Sequence, residues 1–139
     1  MKISARNQFK GIIKAIDSSS VSSKIDILIE DNILISSLIT NDAVLDLDLQ
    51  VGEKVIAFFK STSIKLEPTL NNIKKEVKYF KGFIENIYLD KHSAKFHILV
   101  SENIKLICMK ELDKSSELEI KIFTEVYIYI DSKDIMIAK

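Results

Sequence analysis

Hydrophobic and polar residues alternate along most of this chain, a pattern that predicts short β-strands. The clearest example runs from Val21 to Ile29, where Ile25, Ile27 and Ile29 fall on one face. Successive side chains of a strand point to opposite faces of its sheet, so this alternation indicates one buried face and one exposed face.

In the first half of the chain the same reasoning predicts five strands and one short helix. The predicted strands are Phe9 to Ile16, Val21 to Ile29, Ile33 to Ile39, Lys54 to Lys60 and Ile64 to Leu66. The helix follows Thr40, whose hydroxyl can accept a hydrogen bond from a free amide of the first turn. Its predicted buried side consists of Ala43, Val44 and Leu47, together with Leu45.

The pattern occurs twice. A shift of about 71 positions aligns Lys10-Gly11 with Lys81-Gly82 and Asn32-Ile33 with Asn103-Ile104, without a gap. The matching positions are mainly apolar, so we predict two domains that share one core pattern, at residues 1–68 and 73–139. The second domain is predicted to have strands at 77–87, 95–100, 104–109, 125–130 and 135–138, with a weak helix near Leu112 to Leu118.

Short strands with a small helix between the third and the fourth are typical of the OB architecture. The sequence therefore predicts a mainly all-β protein of two tandem five-stranded OB-like Greek-key barrels; a β-sandwich of the same strands is the alternative. Two substitutions distinguish the second repeat. Glu111 stands in place of the cap residue Thr40, and Phe123 stands in place of Gly52, so we expect that turn to be built differently.

Composition and charge narrow the classes of partner. Each half of the 139 residues is a small domain, so association between halves or chains is expected. Lys and Arg balance Asp and Glu at 20 each, which gives no long-range attraction to nucleic acid or to an anionic membrane. The single cysteine, Cys108, suits a reducing compartment. No apolar run is long enough for a signal peptide or a membrane span, so the predicted location is cytoplasmic.

Catalytic chemistry has little support in the sequence. The two histidines, His92 and His97, lack cysteines or carboxylates at metal-ligand spacing. The three glycines are too far apart for a phosphate-binding loop, and the serine clusters have no neighbouring base. We therefore predict no catalytic residues, no metal site and no enzymatic activity.

Two polar segments could bind an anion. Ser4-Ala5-Arg6-Asn7 offers a hydroxyl, a guanidinium and an amide, and Lys60-Ser61-Thr62-Ser63 offers an ammonium and three hydroxyls. Such donors suit a small oxyanion if the fold or an interface brings the segments together. From the residues alone, ordinary polar surface is the simpler interpretation.

The segments MKISARNQFKGIIKAI, ISSLITNDAV and VGEKVIAFFKSTSIKL resemble the molbindins, also called molybdenum-pterin-binding proteins. The resemblance covers residues 1–68 in order and at the spacing of the family. It implies transport-associated OB (TOBE) domains that bind molybdate, with tungstate as a close mimic. Tandem members of the family would form homotrimers with oxyanions at interfaces between domains. No residue supports an organic cofactor, although the family name mentions a pterin.

The resemblance also implies which residues bind the oxyanion. The principal site would consist of Ser4, Ala5, Arg6, Asn7, Lys60, Ser61 and Thr62. A second site would involve Val21, Ser22, Ser36 and Ser37. This sequence departs from the family there, because it has Ser19, Ser20 and Ser22 in the turn where the family commonly has Gly, Ala and Asn.

The second repeat has lost most of these donors. Glu76 and Val77 stand in place of Ala5 and Arg6, Asp131 replaces Lys60, and Ile107-Cys108 replaces Ser36-Ser37. An aspartate beside a dianion is repulsive, so we interpret this half as a scaffold.

The predicted function is molybdate binding for intracellular molybdenum storage or homeostasis. One alternative is a structural or regulatory oligomer that has lost ligand binding. A less favoured alternative is a nucleic-acid-binding OB module, for which the candidate stacking residues are Tyr79, Tyr88, Tyr127 and Tyr129.

Overall fold

A computed structural model describes residues 7–112 and 120–139. The first repeat contains β1 (Asn7–Ser18), β2 (Ser22–Ile29), β3 (Ile33–Thr40), α1 (Asn41–Asp46), β4 (Lys54–Phe59) and β5 (Ile64–Glu67). The second contains β6 (Phe80–Leu89), β7 (Ser93–Ser101), β8 (Ile104–Glu111), β9 (Glu125–Ile130) and β10 (Met136–Ala138). Nearly all of the helix predicted near Leu112 to Leu118 lies outside the described residues, as do Ser4, Ala5 and Arg6.

The ten described strands form two antiparallel sheets of five strands each. Their strand orders are β10-β4-β1-β2-β3 and β5-β9-β6-β7-β8. In each sheet the two edge strands contact one another, so the sheet curls into a partly closed barrel. The predicted mainly β, OB-like fold is confirmed, and the sandwich alternative is wrong.

The final strand of each repeat joins the sheet of the other repeat. β5 pairs with β9, with Ile64 opposite Ile130, and β10 pairs with β4, with Met136 opposite Phe58. The compact units are therefore residues 1–60 with 131–139 (unit 1) and residues 61–130 (unit 2). The domains predicted from the sequence were 1–68 and 73–139. Strand patterning sets which face of a segment is buried. It does not set which sheet the segment joins, because Ile64 and Ile135 are equivalent in the two repeats.

Each exchanged segment is held by an equivalent hydrogen bond from the third strand of the unit. In unit 1 the Ser37 hydroxyl donates to the carbonyl of Ile135. In unit 2 the Cys108 thiol donates to the carbonyl of Ile64 over 3.5 Å. Serine and cysteine occupy the same position of the repeat, so the weaker thiol donor preserves the contact.

The cores follow the predicted alternation. Ile25 and Ile27 are fully buried in unit 1, and Phe96 and Ile98 are fully buried in unit 2. Gly11 allows β1 to approach β2 closely, because a Cβ atom there would lie 2.6 Å from Cγ2 of Ile27.

Helix α1 begins as predicted. The Thr40 hydroxyl accepts a hydrogen bond from the amide of Ala43 at 3.1 Å. The inclusion of Leu45 in the buried side was wrong, because this side chain is 76% exposed. Leu49, just beyond the helix, is buried and anchors the segment instead. Lys139 donates to the carbonyls of Leu47 and Asp48, just beyond the C-terminal end of α1, and pairs with Glu53 at 2.7 Å. The C-terminal end of a helix is a favourable place for a cation.

The turn before the fourth strand is built in the same way in both repeats, so the prediction of a different turn was wrong. The amide of Gly52 donates to Ile13 at 2.8 Å, and the amide of Phe123 donates to Ile84 at 2.8 Å. Both residues have a left-handed backbone conformation, with φ of 92° at Gly52 and 62° at Phe123. Glycine accepts this conformation freely, but for an L-residue such as phenylalanine it costs roughly 1–2 kcal/mol.

Candidate oxyanion site

The register of β1 and β4 places part of the predicted principal site. Asn7, the first residue of β1, lies opposite Phe59, the last residue of β4. Lys60 follows Phe59 directly, so the ammonium-bearing residue lies at the end of the sheet where β1 begins. Ser61 and Thr62 follow along the chain in a 3-10 turn, Ser61–Ser63. Ser4, Ala5 and Arg6 precede Asn7 in sequence and lie outside the described residues.

The side chains of these four described residues differ in accessibility. Asn7 is 1% exposed, whereas Lys60 and Thr62 are exposed and Ser61 is half-buried. In the part of the chain that the structure describes, Lys60 forms no ion pair. An ammonium without a carboxylate partner can donate to an oxyanion without first breaking an internal ion pair.

The structure separates the residues of the predicted second site. Ser22 lies opposite Thr40, whereas Ser36 lies opposite Asp26, farther along β3. Thr40 lies four positions beyond Ser36 along β3, which is roughly 13 Å. Within this chain, Val21 and Ser22 are therefore not brought together with Ser36 and Ser37.

The hydroxyl groups of both serines of β3 already donate hydrogen bonds within the chain. Ser36 donates to the carboxylate of Asp26 at 2.6 Å, and Ser37 donates to Ile135. Ser37 is also fully buried. A hydroxyl has a single proton to donate, so an oxyanion could be bound by Ser36 or Ser37 only after these hydrogen bonds break.

A buried polar cluster next to this region was not predicted. The Ser23 hydroxyl is 1% exposed, lies 2.8 Å from the Ser18 hydroxyl and donates to Oδ1 of Asn41 at 2.6 Å. The side-chain amide of Asn41 in turn donates to the backbone carbonyl of Ser19 at 2.9 Å. The cluster fastens the turn between β1 and β2 to the start of α1. Its signal in the sequence was a serine at an inward position of β2, two residues before Ile25.

In the second repeat, the segment that corresponds to Lys60–Ser63 carries a carboxylate. Asp131, which stands in place of Lys60, accepts a hydrogen bond from the amide of Lys133 at 3.1 Å and pairs with its ammonium at 3.7 Å. Both side chains are more than half exposed. An anion approaching this segment of the second repeat would therefore meet the accessible negative charge of Asp131.

The cysteine and a ring nitrogen of one of the histidines are both buried in the described part of the chain. Cys108 is 2% exposed, and burial raises the pKa of its thiol to about 12 despite the nearby ammonium groups of Lys65 and Lys110. Within the described residues Nε2 of His97 is buried without a hydrogen-bond partner, and the ring contacts Tyr88 edge-on at 5.1 Å. Across residues 7–112 and 120–139, no three His, Cys, Asp or Glu side chains are grouped to hold a metal ion. In the same residues, no helix has the length and apolar character needed to cross a membrane.

The first repeat matches known proteins. The profile of the TOBE domain matches residues 3–66. A probable molybdenum-pterin-binding protein of Haemophilus influenzae is 42% identical over 64 residues, which are 46% of this chain and 93% of that protein. Molybdenum-pterin-binding protein 3 of Clostridium pasteurianum is 33% identical over 66 residues, 48% of this chain and 97% of that protein. Fold and matches together define the first repeat as a TOBE domain.

A solved structure extends the similarity in fold to the second repeat. The cytoplasmic molybdate-binding protein ModG, in a form with molybdate bound, superposes with a TM-score of 0.89, and the match covers 99% of this chain and 98% of that chain. The sequences are 22% identical, so this likeness concerns the fold. With the two close matches to its first repeat, the chain belongs to the molbindin family of molybdenum-pterin-binding proteins.

Proposed function

We propose that this chain binds molybdate, with tungstate as a close mimic, and serves molybdenum storage or homeostasis in the cytoplasm. The observation that supports this most directly is the register of β1 and β4. It brings Asn7, the last residue of the predicted segment Ser4 to Asn7, opposite the residue that precedes Lys60. Membership of the molbindin family supports the choice of ligand.

Binding is reversible and involves no covalent step. The dianion exchanges its water for fixed donors: the hydroxyls of Ser4, Ser61 and Thr62 and backbone amides at Ala5, with Asn7 nearby. Arg6 and Lys60 provide the charge that partly neutralises it, and hydrogen bonds from charged donors are the stronger ones. Sulfate is the smaller tetrahedron, so it would leave some of these fixed donors without a partner, which is costly.

Sites of this kind lie between domains of a homo-oligomer, and a trimer of two-domain chains is the proposed assembly. The second repeat completes the assembly without a principal site of its own, since Asp131 opposes a dianion. A ligand that binds only the assembled form stabilises that form.

Calorimetric titration of the full chain with molybdate, tungstate and sulfate tests the proposal. We expect heat of binding with the first two and none with sulfate. Lys60→Asp places in the first repeat the residue that the second repeat carries at this position, and it should abolish most molybdate binding. The matched control Asp131→Ala should leave binding nearly unchanged.

Two outcomes contradict the proposal. Absence of heat with all three anions favours an oligomer that has lost ligand binding. Equal losses from Lys60→Asp and Asp131→Ala would show that the site is assigned to the wrong residues.

A further inference from the structure

The outer face of the unit 1 sheet carries an apolar groove. Its volume is about 590 Å³, and its floor includes Ile12, Leu28, Ile56 and Ala138. Ile12 lies directly opposite Leu28 in the ladder of β1 and β2, and it is 40% exposed. We call this surface the outer groove; Lys10, Lys54 and Glu30 also line it.

Unit 2 carries an aromatic projection at the equivalent place. Phe83 stands where unit 1 has Ile12, and Phe123 stands where unit 1 has Gly52. The two rings stack with centroids 6.4 Å apart, and they are 42% and 67% exposed. Together with Ile122, which is 42% exposed, they form what we call the aromatic ridge.

The backbone of the ridge is unfavourable in the isolated chain. Phe123 has a φ of 62°, a conformation that the equivalent Gly52 adopts without steric cost. The ring remains two-thirds exposed, so burial within its own unit returns little of that cost. Residues held in such conformations cluster at functional sites, such as ligand clamps and switch regions.

The ridge and the groove are complementary in chemistry. Two phenylalanine rings are apolar and compact enough for a groove of this volume, whose floor is aliphatic. Glu125 lies directly opposite Phe83 on the ridge, and the exposed Lys10 and Lys54 border the groove. Glu125 pairs with Lys81 at 3.8 Å, but its side chain remains 60% exposed and accessible to a second lysine.

We propose that the aromatic ridge of one copy of this chain inserts into the outer groove of a second copy. Such a contact joins two different surfaces, so it repeats from copy to copy and closes into a ring when the rotation between copies permits. It goes beyond oxyanion binding, because it identifies the surfaces that assemble the oligomer and requires no ligand.

The substitution Phe123→Gly tests the contact and separates it from folding. It removes the larger part of the ridge, and it also relieves the left-handed strain, so the variant should unfold at the same temperature as the wild type or a higher one. Buried aromatic anchors dominate protein interfaces, so we expect self-association at least about tenfold weaker by sedimentation equilibrium without oxyanion. Leu89→Ala, which truncates a side chain 61% exposed elsewhere on unit 2, is the control and should assemble as the wild type does.

A mixing experiment tests the head-to-tail arrangement. Ile12→Lys keeps the ridge but places a charge in the groove, whereas Phe123→Gly keeps the groove. Each variant alone should fail to assemble, and a mixture should give a one-to-one dimer held by one intact contact. A wild type that stays monomeric, a Phe123→Gly variant that assembles normally, or a mixture without dimers would each overturn the inference. Because no oxyanion is present, these outcomes are independent of the molybdate titration.

Discussion

Truncating one isoleucine of each exchanged segment should destabilise the unit that receives it. Ile135 belongs to the second repeat but packs in unit 1, and Ile64 belongs to the first repeat but packs in unit 2. They are 2% and 4% exposed, so Ile135→Ala and Ile64→Ala each leave a buried cavity. Changes of this type cost about 2–5 kcal/mol of unfolding free energy.

Hydrogen exchange measured by mass spectrometry can assign the loss to a unit. Ile135→Ala should lower amide protection in residues 22–40, which form β2 and β3, while residues 93–111 stay protected. Ile64→Ala should give the reverse. All four tyrosines lie in unit 2, so Ile64→Ala should also move the tyrosine-fluorescence transition in urea more than Ile135→Ala does.

The paired design makes the result decisive. If each repeat closed its own barrel, Ile135→Ala would expose residues 93–111 and Ile64→Ala would expose residues 22–40. That pattern, or equal exposure of both segments by both variants, would refute the exchange of the final strands.

Three further predictions follow from single residues. Gly11→Ala should lower the unfolding free energy by about 1–3 kcal/mol in urea titration, because its Cβ would meet Ile27 at 2.6 Å and the Leu28 carbonyl oxygen at 3.0 Å; an unchanged midpoint would contradict the close approach. Thr40→Ala should cost about 1 kcal/mol through loss of the cap on α1, whereas Thr40→Ser should cost little. The raised pKa of Cys108 favours the neutral thiol in the folded state, so its contribution to stability is complete below the ordinary thiol pKa of 9.0 and is lost as the pH rises towards about 12. At pH 8 the native thiol should react with a disulfide reagent only as fast as the protein opens, and rapid labelling would contradict its burial.

Much of the fold could be predicted from residue patterns. Alternating isoleucines fixed the buried faces of the strands, and the Thr40 hydroxyl identified the start of α1. The sheet that each final strand joins could not be predicted, because Ile64 and Ile135 have the same apolar side chain and fit the core of either sheet equally well. The turn at Phe123 was predicted wrongly, because phenylalanine disfavours the left-handed conformation that glycine adopts easily. The hydrogen bonds to Ile84 nevertheless impose that conformation at Phe123.

The candidate site was predictable only in part. The motifs of the first repeat identified both of its segments, but the sequence did not show that β1 and β4 bring the ends of these segments to one end of the sheet. Which hydroxyls were already engaged could not be seen in the sequence. Ser36 faces Asp26 only because of the register of β2 and β3, and the acceptor of Ser37 belongs to the exchanged segment, which lies 98 residues away.

The central claim is that the first repeat alone binds a tetrahedral metal oxyanion. Crystals grown with tungstate, with diffraction measured at the tungsten absorption edge, would locate the ligand directly. We predict an anomalous peak beside Lys60 and Asn7 and none beside Asp131. Peaks of equal height beside Lys60 and beside Asp131, or no peak beside Lys60, would contradict the account.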